Sequence, residues 1–202
     1  MRILVDYRPA LRDRTGIGEY VHELARALTR TPDEVVLFSS SWKDRVDPRQ
    51  VAPAAVVDRR VPVRLLNLVW HRLEWPPVES LGVGAVDVAH SPHPLLLPSR
   101  RAVQAVTIHD LDFLRHPWRT AREIRRDYPR LVRDHARRAD LVVVSSDFAA
   151  RNVIATFDLD ASRVVVCPAG APPWKRVTRR PERGYLLFLG TLEPRKNIGG
   201  LL

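Results

Sequence analysis

Short apolar runs alternate with amphipathic stretches along most of the chain, and this alternation constrains the fold more than any other feature. "RILVD" (2–6) precedes "GIGEYVHELARAL" (16–28), where Val21, Leu24, Ala25 and Leu28 share one helical face. "DEVVLFSS" (33–40), "AVDVAHS" (85–91), "AVQAVTIHD" (102–110), "ADLVVVSS" (139–146) and "SRVVVCPAG" (162–170) read as further strands. Helices are predicted between them at 65–75, 119–139 and 147–157. Pro76 and Pro77 stop the first of these, and Ser146 or Asp147 caps the last. From Trp42 to Pro62 the chain reads as a loop with one short strand near "VPV", and the proline-rich "SPHPLLLP" separates two strands. Strands taken in turn with helices predict an α/β fold, a Rossmann-like doubly wound parallel sheet with helices on both faces.

The stretch 171–183 carries prolines and charges without periodicity and reads as a linker. Beyond it, "GYLLFLG" (184–190) predicts a buried strand, and Ile198, Leu201 and Leu202 fall at the spacing of a first helical stripe. The pattern divides the chain into a domain over 1–170, a linker over 171–183 and the first strand and helix start of a second domain over 184–202.

Cys167 is the single cysteine, which excludes an internal disulfide framework and a cysteine-based zinc site and suits a reducing compartment. It is expected to be a small buried hydrophobe beside a strand end. The apolar run before Asp6 is too short for a secretion signal, and no stretch approaches the ~18 apolar residues of a membrane span. The expectation is therefore a soluble or peripheral protein of the cytoplasm.

The formal net charge is +10, and apart from Lys43, Lys175 and Lys196 the cations are arginines. Genomic base composition or a surface meeting phosphates, nucleic acid or anionic lipid would each produce this, and composition does not choose. Half of the excess sits in 119–139, where eight arginines face Glu123, Asp127 and Asp134, a net +5. That segment is either a solvated outer face or a surface for anionic lipid or a phosphorylated acceptor. Nucleic acid is not expected, because no aromatic residues interleave with the arginines to stack bases.

Three motifs carry chemistry. "TGIGEY" places Gly16 and Gly18 where the first strand meets the first helix, a junction that lets backbone approach a ligand. It lacks the third glycine of the dinucleotide fingerprint, and "FSSSW" offers no acid for a ribose, so an ordinary tight turn stays open. "VTIHDLDFL" delivers His109 and Asp110 to a carboxyl-terminal strand edge, where open α/β sheets bind ligands. A metal site from His90, His93 and His109 is conceivable but lacks ligand spacing on a shared helix. "EPRKN" puts Arg195 and Lys196 where a strand meets a helix start; a bound anion there would offset their opposition to the helix dipole.

Taken in order, "GIGEYVHELARAL", "VTIHDLDFL", "ADLVVVSSDFAARNVI", "VVVCPAG" and "LFLGTLEPRKNIGGLL" resemble the nucleotide-sugar glycosyltransferases of family 4, over essentially the whole chain. The resemblance implies the GT-B fold, two Rossmann-like domains across a cleft, with the acceptor-side domain here and the start of the sugar-nucleotide domain at Gly184. It implies a retaining transferase, mannosyltransferase-like, using a nucleotide-sugar donor as co-substrate and a sugar, lipid-linked or polysaccharide acceptor. No metal and no further cofactor is expected. Gly16 and Gly18 would approach the donor phosphates or the acceptor. His109 would match the histidine that hydrogen-bonds the transferred sugar near the reacting carbon, and Arg195 with Lys196 the basic pair on the leaving diphosphate. Thr191 stands where many members carry arginine, and the family's paired glutamates are absent from the sequence. A 202-residue fragment of this kind is expected to be inactive alone. A non-catalytic Rossmann-like binding module, or less readily a basic nucleic-acid-binding protein, is the competing reading.

Overall fold

The computed structural model describes residues 1–11, 14, 16–119, 128–171, 184–190, 192 and 196–201. In chain order the elements are β1 (Arg2–Asp6), α1 (Gly16–Leu28), β2 (Glu34–Ser40), β3 (Ala55–Arg59), α2 (Val63–Leu73), β4 (Val88–Ser91) and β5 (Val103–Ile108). After them come α3 (Asp112–Arg115), α4 (Tyr128–Arg138), β6 (Leu141–Val144), α5 (Asp147–Phe157) and β7 (Val164–Val166). All seven strands join one sheet in the order β3-β2-β1-β4-β5-β6-β7, every neighbouring pair parallel. This is the expected Rossmann-like α/β sheet.

Register assigns the two faces. Leu4 aligns with Val36 and Ala89, Ser91 with Val106, and Ile108 with Val144, so these residues point to one side. There Leu4, Val36, Phe38 and Ala89 pack beneath Leu66 and Trp70 of α2. Farther along, Val106, Ile108, Val142 and Val144 pack beneath Val132 and Ala136 of α4 and Val153 and Phe157 of α5. The opposite face carries Ile3, Val5, Val35 and Leu37 against Val21 and Ala25 of α1. Burial of these branched side chains, ~1.5–3 kcal/mol each, is what holds the sheet between its helices.

The chain leaves β1 toward β2 and β3 on one side and returns to β4 on the other. The crevice above β1 and β4 is thus the point where strand order reverses, the place where such sheets bind ligands. Between β4 and β5 no helix forms. Pro92, Pro94 and Pro98 lack the amide donors a helix needs, and the run crosses the sheet with Leu95, Leu96 and Leu97 buried as substitutes for a helical face. The Val78 amide secures it by donating to the Pro98 carbonyl at 2.8 Å.

Several expectations change. The edge strand β3 lies at Ala55–Arg59, before "VPV": an edge strand has one partner and a half-buried pattern, so its sequence signal is weak. Cys167 is exposed. It follows the edge strand β7, where no described element covers it, although its amide still donates to the Val144 carbonyl at 2.8 Å. Gly184–Gly190 is not the expected buried strand. It is unpaired, with Tyr185, Leu186, Leu187 and Leu189 exposed, because no described strand offers it a partner. Ile198–Gly200 forms a single tight 3-10 turn. Most of the expected linker and the first part of the 119–139 helix lie outside the described residues.

Candidate active site at the carboxyl edge of the sheet

β5 ends at Ile108, and the chain turns out of the sheet at His109 and Asp110. His109 is half-buried, with Nε2 3.0 Å from the Pro92 carbonyl oxygen. A carbonyl only accepts, so Nε2 carries the proton and Nδ1 keeps its lone pair. The Tyr20 ring of α1 meets the imidazole edge-on, centroids 5.0 Å apart at 87°. Burial holds the His109 pKa below its ordinary value, outweighing the Pro92 carbonyl and Asp110, which pull it upward. At neutral pH the ring is a neutral acceptor in a fixed orientation.

A cavity of about 480 Å³ opens beside it, lined among others by His109, Asp110, Arg115, Ser145, Ser146, Phe148 and Lys196. The ends of β5 and β6 and the start of α5 build its walls. Ser146 caps α5, its hydroxyl accepting from the Ala149 amide at 3.2 Å. Arg115 donates to Asn152 Oδ1 at 2.5 Å, and His116 pairs with Asp112 at 2.7 Å. Folding therefore brings Lys196 and His109, distant in sequence, to one cavity. Arg195 lies outside the described residues.

The two glycines separate. Neither lines that cavity; both lie on the first turn of α1, which carries Tyr20 to His109. A Cβ on Gly18 would stand 2.9 Å from the Pro9 carbonyl oxygen, so Gly18 lets α1 pack on the preceding turn. Around Gly16 nothing lies within 4 Å of an added Cβ.

A second group of residues escaped the sequence reading. Asp6 ends β1 at the switch point, fully buried. Arg8 grips it with two side-chain contacts, Nε at 2.8 Å and a terminal nitrogen at 2.6 Å, and with its amide at 3.1 Å. His93 Nε2 donates to the same carboxylate at 3.1 Å. Burial alone would raise the Asp6 pKa, but Arg8 and His93 outweigh it and hold the carboxyl well below the usual range. Arg8 continues to Asn67 Oδ1 at 2.7 Å and lies over the Trp70 ring at 4.7 Å. His93 Nδ1 accepts from the Leu95 amide, and the His93 carbonyl accepts from Ser91 Oγ. Asp6 thus fixes the turn that presents the Pro92 carbonyl to His109. The legible trace is an acid closing a buried strand with an arginine two residues on.

His90, His93 and His109 each turn to a different partner. His90 Nε2 bonds Thr107 Oγ1 at 2.8 Å, His93 bonds Asp6 and His109 bonds Pro92. Among the described residues no group of three or more His, Cys, Asp or Glu is placed to hold a metal ion. No helix among them is long and apolar enough to cross a membrane.

An open parallel sheet, with a histidine and a lysine sharing a cavity at its carboxyl edge, defines an α/β protein of the Rossmann-like class. Residues 14–174 match the sequence profile of Glycosyltransferase Family 4, and the chain belongs to that family. It is 27% identical to O-antigen chain mannosyltransferase B of Escherichia coli over an alignment of 228 residues, covering 100% of this chain and 59% of that one. Sucrose-phosphate synthase from Thermosynechococcus elongatus shares the fold, with a TM-score of 0.56 and 13% identity over 84% of this chain and 48% of that one. The chain thus spans about half to three fifths of the length of these relatives. With the sheet, the family match places it in the GT-B group.

Proposed function

We propose that these residues form the acceptor side of a retaining glycosyltransferase that moves a hexosyl group, mannosyl first among candidates, from a nucleotide sugar to a glycan or lipid-linked acceptor. The observation that carries this reading is the pairing of a neutral, oriented His109 with Lys196 on one cavity at the strand ends. Mannose comes from the name of the Escherichia coli relative.

The chemistry follows from charge. Glycosyl transfer passes through an oxocarbenium-like state while negative charge grows on the departing diphosphate. Lys196, together with Arg195, meets that charge as a point cation and a planar fork. His109 Nδ1, with its proton on the other nitrogen, accepts a hydrogen bond from a hydroxyl of the transferred sugar and fixes the ring against the acceptor. Retention requires attack from the leaving-group face, and His109 serves orientation without a covalent bond. Two fixed cations at the diphosphate make a metal unnecessary, so the donor is proposed as a co-substrate with no further cofactor.

In this reading residues 1–170 are the acceptor-side domain, 171–183 a linker and 184–202 the opening of the sugar-nucleotide domain. The 202 residues alone are proposed to be inactive. The protein works in the cytoplasm at the inner face of the membrane, with the basic segment 119–139 toward anionic lipid. The test is a panel of nucleotide sugars, GDP-mannose among them, offered to the full-length enzyme with glycan and lipid-linked acceptors. Transfer with the anomeric configuration kept supports the proposal. Inversion, or binding without transfer from any donor, overturns it in favour of another mechanism or a binding module.

A further inference from the structure

We infer that the outer side of α2 is the surface that docks on an anionic lipid bilayer. A helix covering a sheet ordinarily buries one apolar side and turns a polar side to water. Here α2 buries Leu66 and Trp70, yet its other side is apolar too. Leu65 and Leu68 are each 53% exposed, Leu73 is 69% exposed, and Trp75 just past the helix end is 64% exposed. Leu65, Leu68 and Arg72 fall at i, i+3 and i+7 and so share one stripe. Such a cluster of large apolar side chains in water needs a covering partner.

Charge selects the partner. α2 contains no acidic residue, and Arg64 and Arg72 stand exposed on the same side as the leucines. The nearest acid, Glu74, is held by both terminal nitrogens of Arg138, so it leaves no free negative charge beside the stripe. That ion pair also ties the end of α2 to α4, which adds exposed Arg133 on the same layer, and Arg130 in a loose 3.8 Å pair with Asp134. Leucines flanked by arginines, with a tryptophan at the end, form an interfacial pattern. The leucines enter the acyl boundary, the tryptophan sits at headgroup level, and the guanidinium groups remain among lipid phosphates on their aliphatic stems. An acidic protein partner would satisfy the arginines but not the exposed leucines beside them.

This deepens only the membrane part of the proposed function; it does not depend on sugar transfer. The experiment is co-sedimentation of the full chain with vesicles of phosphatidylcholine containing ~30% phosphatidylglycerol, against phosphatidylcholine alone. Three variants are compared: Leu65→Gln with Leu68→Gln, Arg64→Gln with Arg72→Gln, and Arg130→Gln with Arg133→Gln. All six positions are exposed or half-exposed and lie outside the proposed active site, and far-UV circular dichroism checks that each variant folds. Binding to the anionic vesicles is expected to fall roughly tenfold in the leucine pair and about fivefold per arginine removed from α2, with weak binding to neutral vesicles throughout. Equal binding to both lipids, or unchanged binding by the leucine pair, overturns the inference. If only the α4 pair loses binding, the membrane reading stands and α2 is not its surface. If the wild type binds no vesicles but forms a dimer that the leucine pair abolishes, the occupant is a second copy and the inference is overturned.

Discussion

At the scale of single residues, the site depends on which nitrogen of His109 carries the proton. The Pro92 carbonyl holds it on Nε2, which leaves Nδ1 as the acceptor for the proposed sugar contact. In the full-length enzyme His109→Ala is therefore expected to lower kcat far more than it weakens acceptor binding, because the contact tightens as charge develops on the ring. Steady-state kcat and KM, measured separately, check this; an unchanged kcat would make His109 a structural residue. Lys196 is expected to matter through its charge. Losing one preorganised charge donor costs on the order of 10²–10³ in rate, so Lys196→Ala should fall in that range. Lys196→Arg should recover only part, since a planar fork is a poor replacement for a compact ammonium. Arg195→Ala should cost less if Lys196 carries the proposed contact to the diphosphate. Donor binding and turnover at fixed salt separate these variants.

At the scale of elements, α1 shows why two similar glycines have different tasks. Gly18 packs against backbone: an added methyl group would meet the Pro9 carbonyl oxygen at 2.9 Å, and neither the oxygen nor the helix can swing away. Gly18→Ala is expected to destabilise the fold by about 1–3 kcal/mol despite alanine's better helix propensity. Gly16 stands in open space, so Gly16→Ala should leave stability unchanged or raise it by up to about 1 kcal/mol. Urea midpoints for the two variants give the comparison. If Gly16→Ala keeps the fold but loses donor or acceptor affinity, the open space at the start of α1 belongs to a ligand. Equal destabilisation by both would contradict the packing assigned to Gly18.

At the scale of the whole molecule, buried histidines set the response to pH. Burial, the largest influence on each, holds His71 and His90 down to about 4, and lowers His22, His109 and His135 in the same direction. Unfolded histidine titrates near 6.5, so between ~6.5 and about 4 the unfolded chain binds more protons than the folded one. Stability from these groups is fully present above ~6.5 and declines as pH falls through that window. Asp6 acts at still lower pH. Its folded pKa is depressed, so its contribution is present above the unfolded carboxyl value of ~3.9 and is lost as pH falls below it. Urea midpoints should therefore hold level from pH 8 to ~6.5 and fall from there to pH 4, and His90→Gln should flatten that fall. A stability maximum near pH 5 would contradict the assignment of these rings as neutral and buried.

What the sequence alone determined is local. Apolar periodicities of two and 3.6 residues placed the strands from β1 through β7 and the helix at Asp147–Phe157 with its Ser146 cap, apart from the edge strand β3. His109 was legible because an apolar strand runs straight into it, and the strand end is where such sheets work. Periodicity says only which side of an element is apolar, never which element will cover it. The tertiary structure therefore decided the strand order and the pairing of Asp6 with His93, separated by 87 residues. It also decided that Pro92 would hold the His109 proton and that Lys196 would reach the same cavity. Cys167 and the run Gly184–Gly190 make the same point in reverse. Their composition suits a buried strand, but burial requires a neighbour, and only the assembled sheet shows whether one is there.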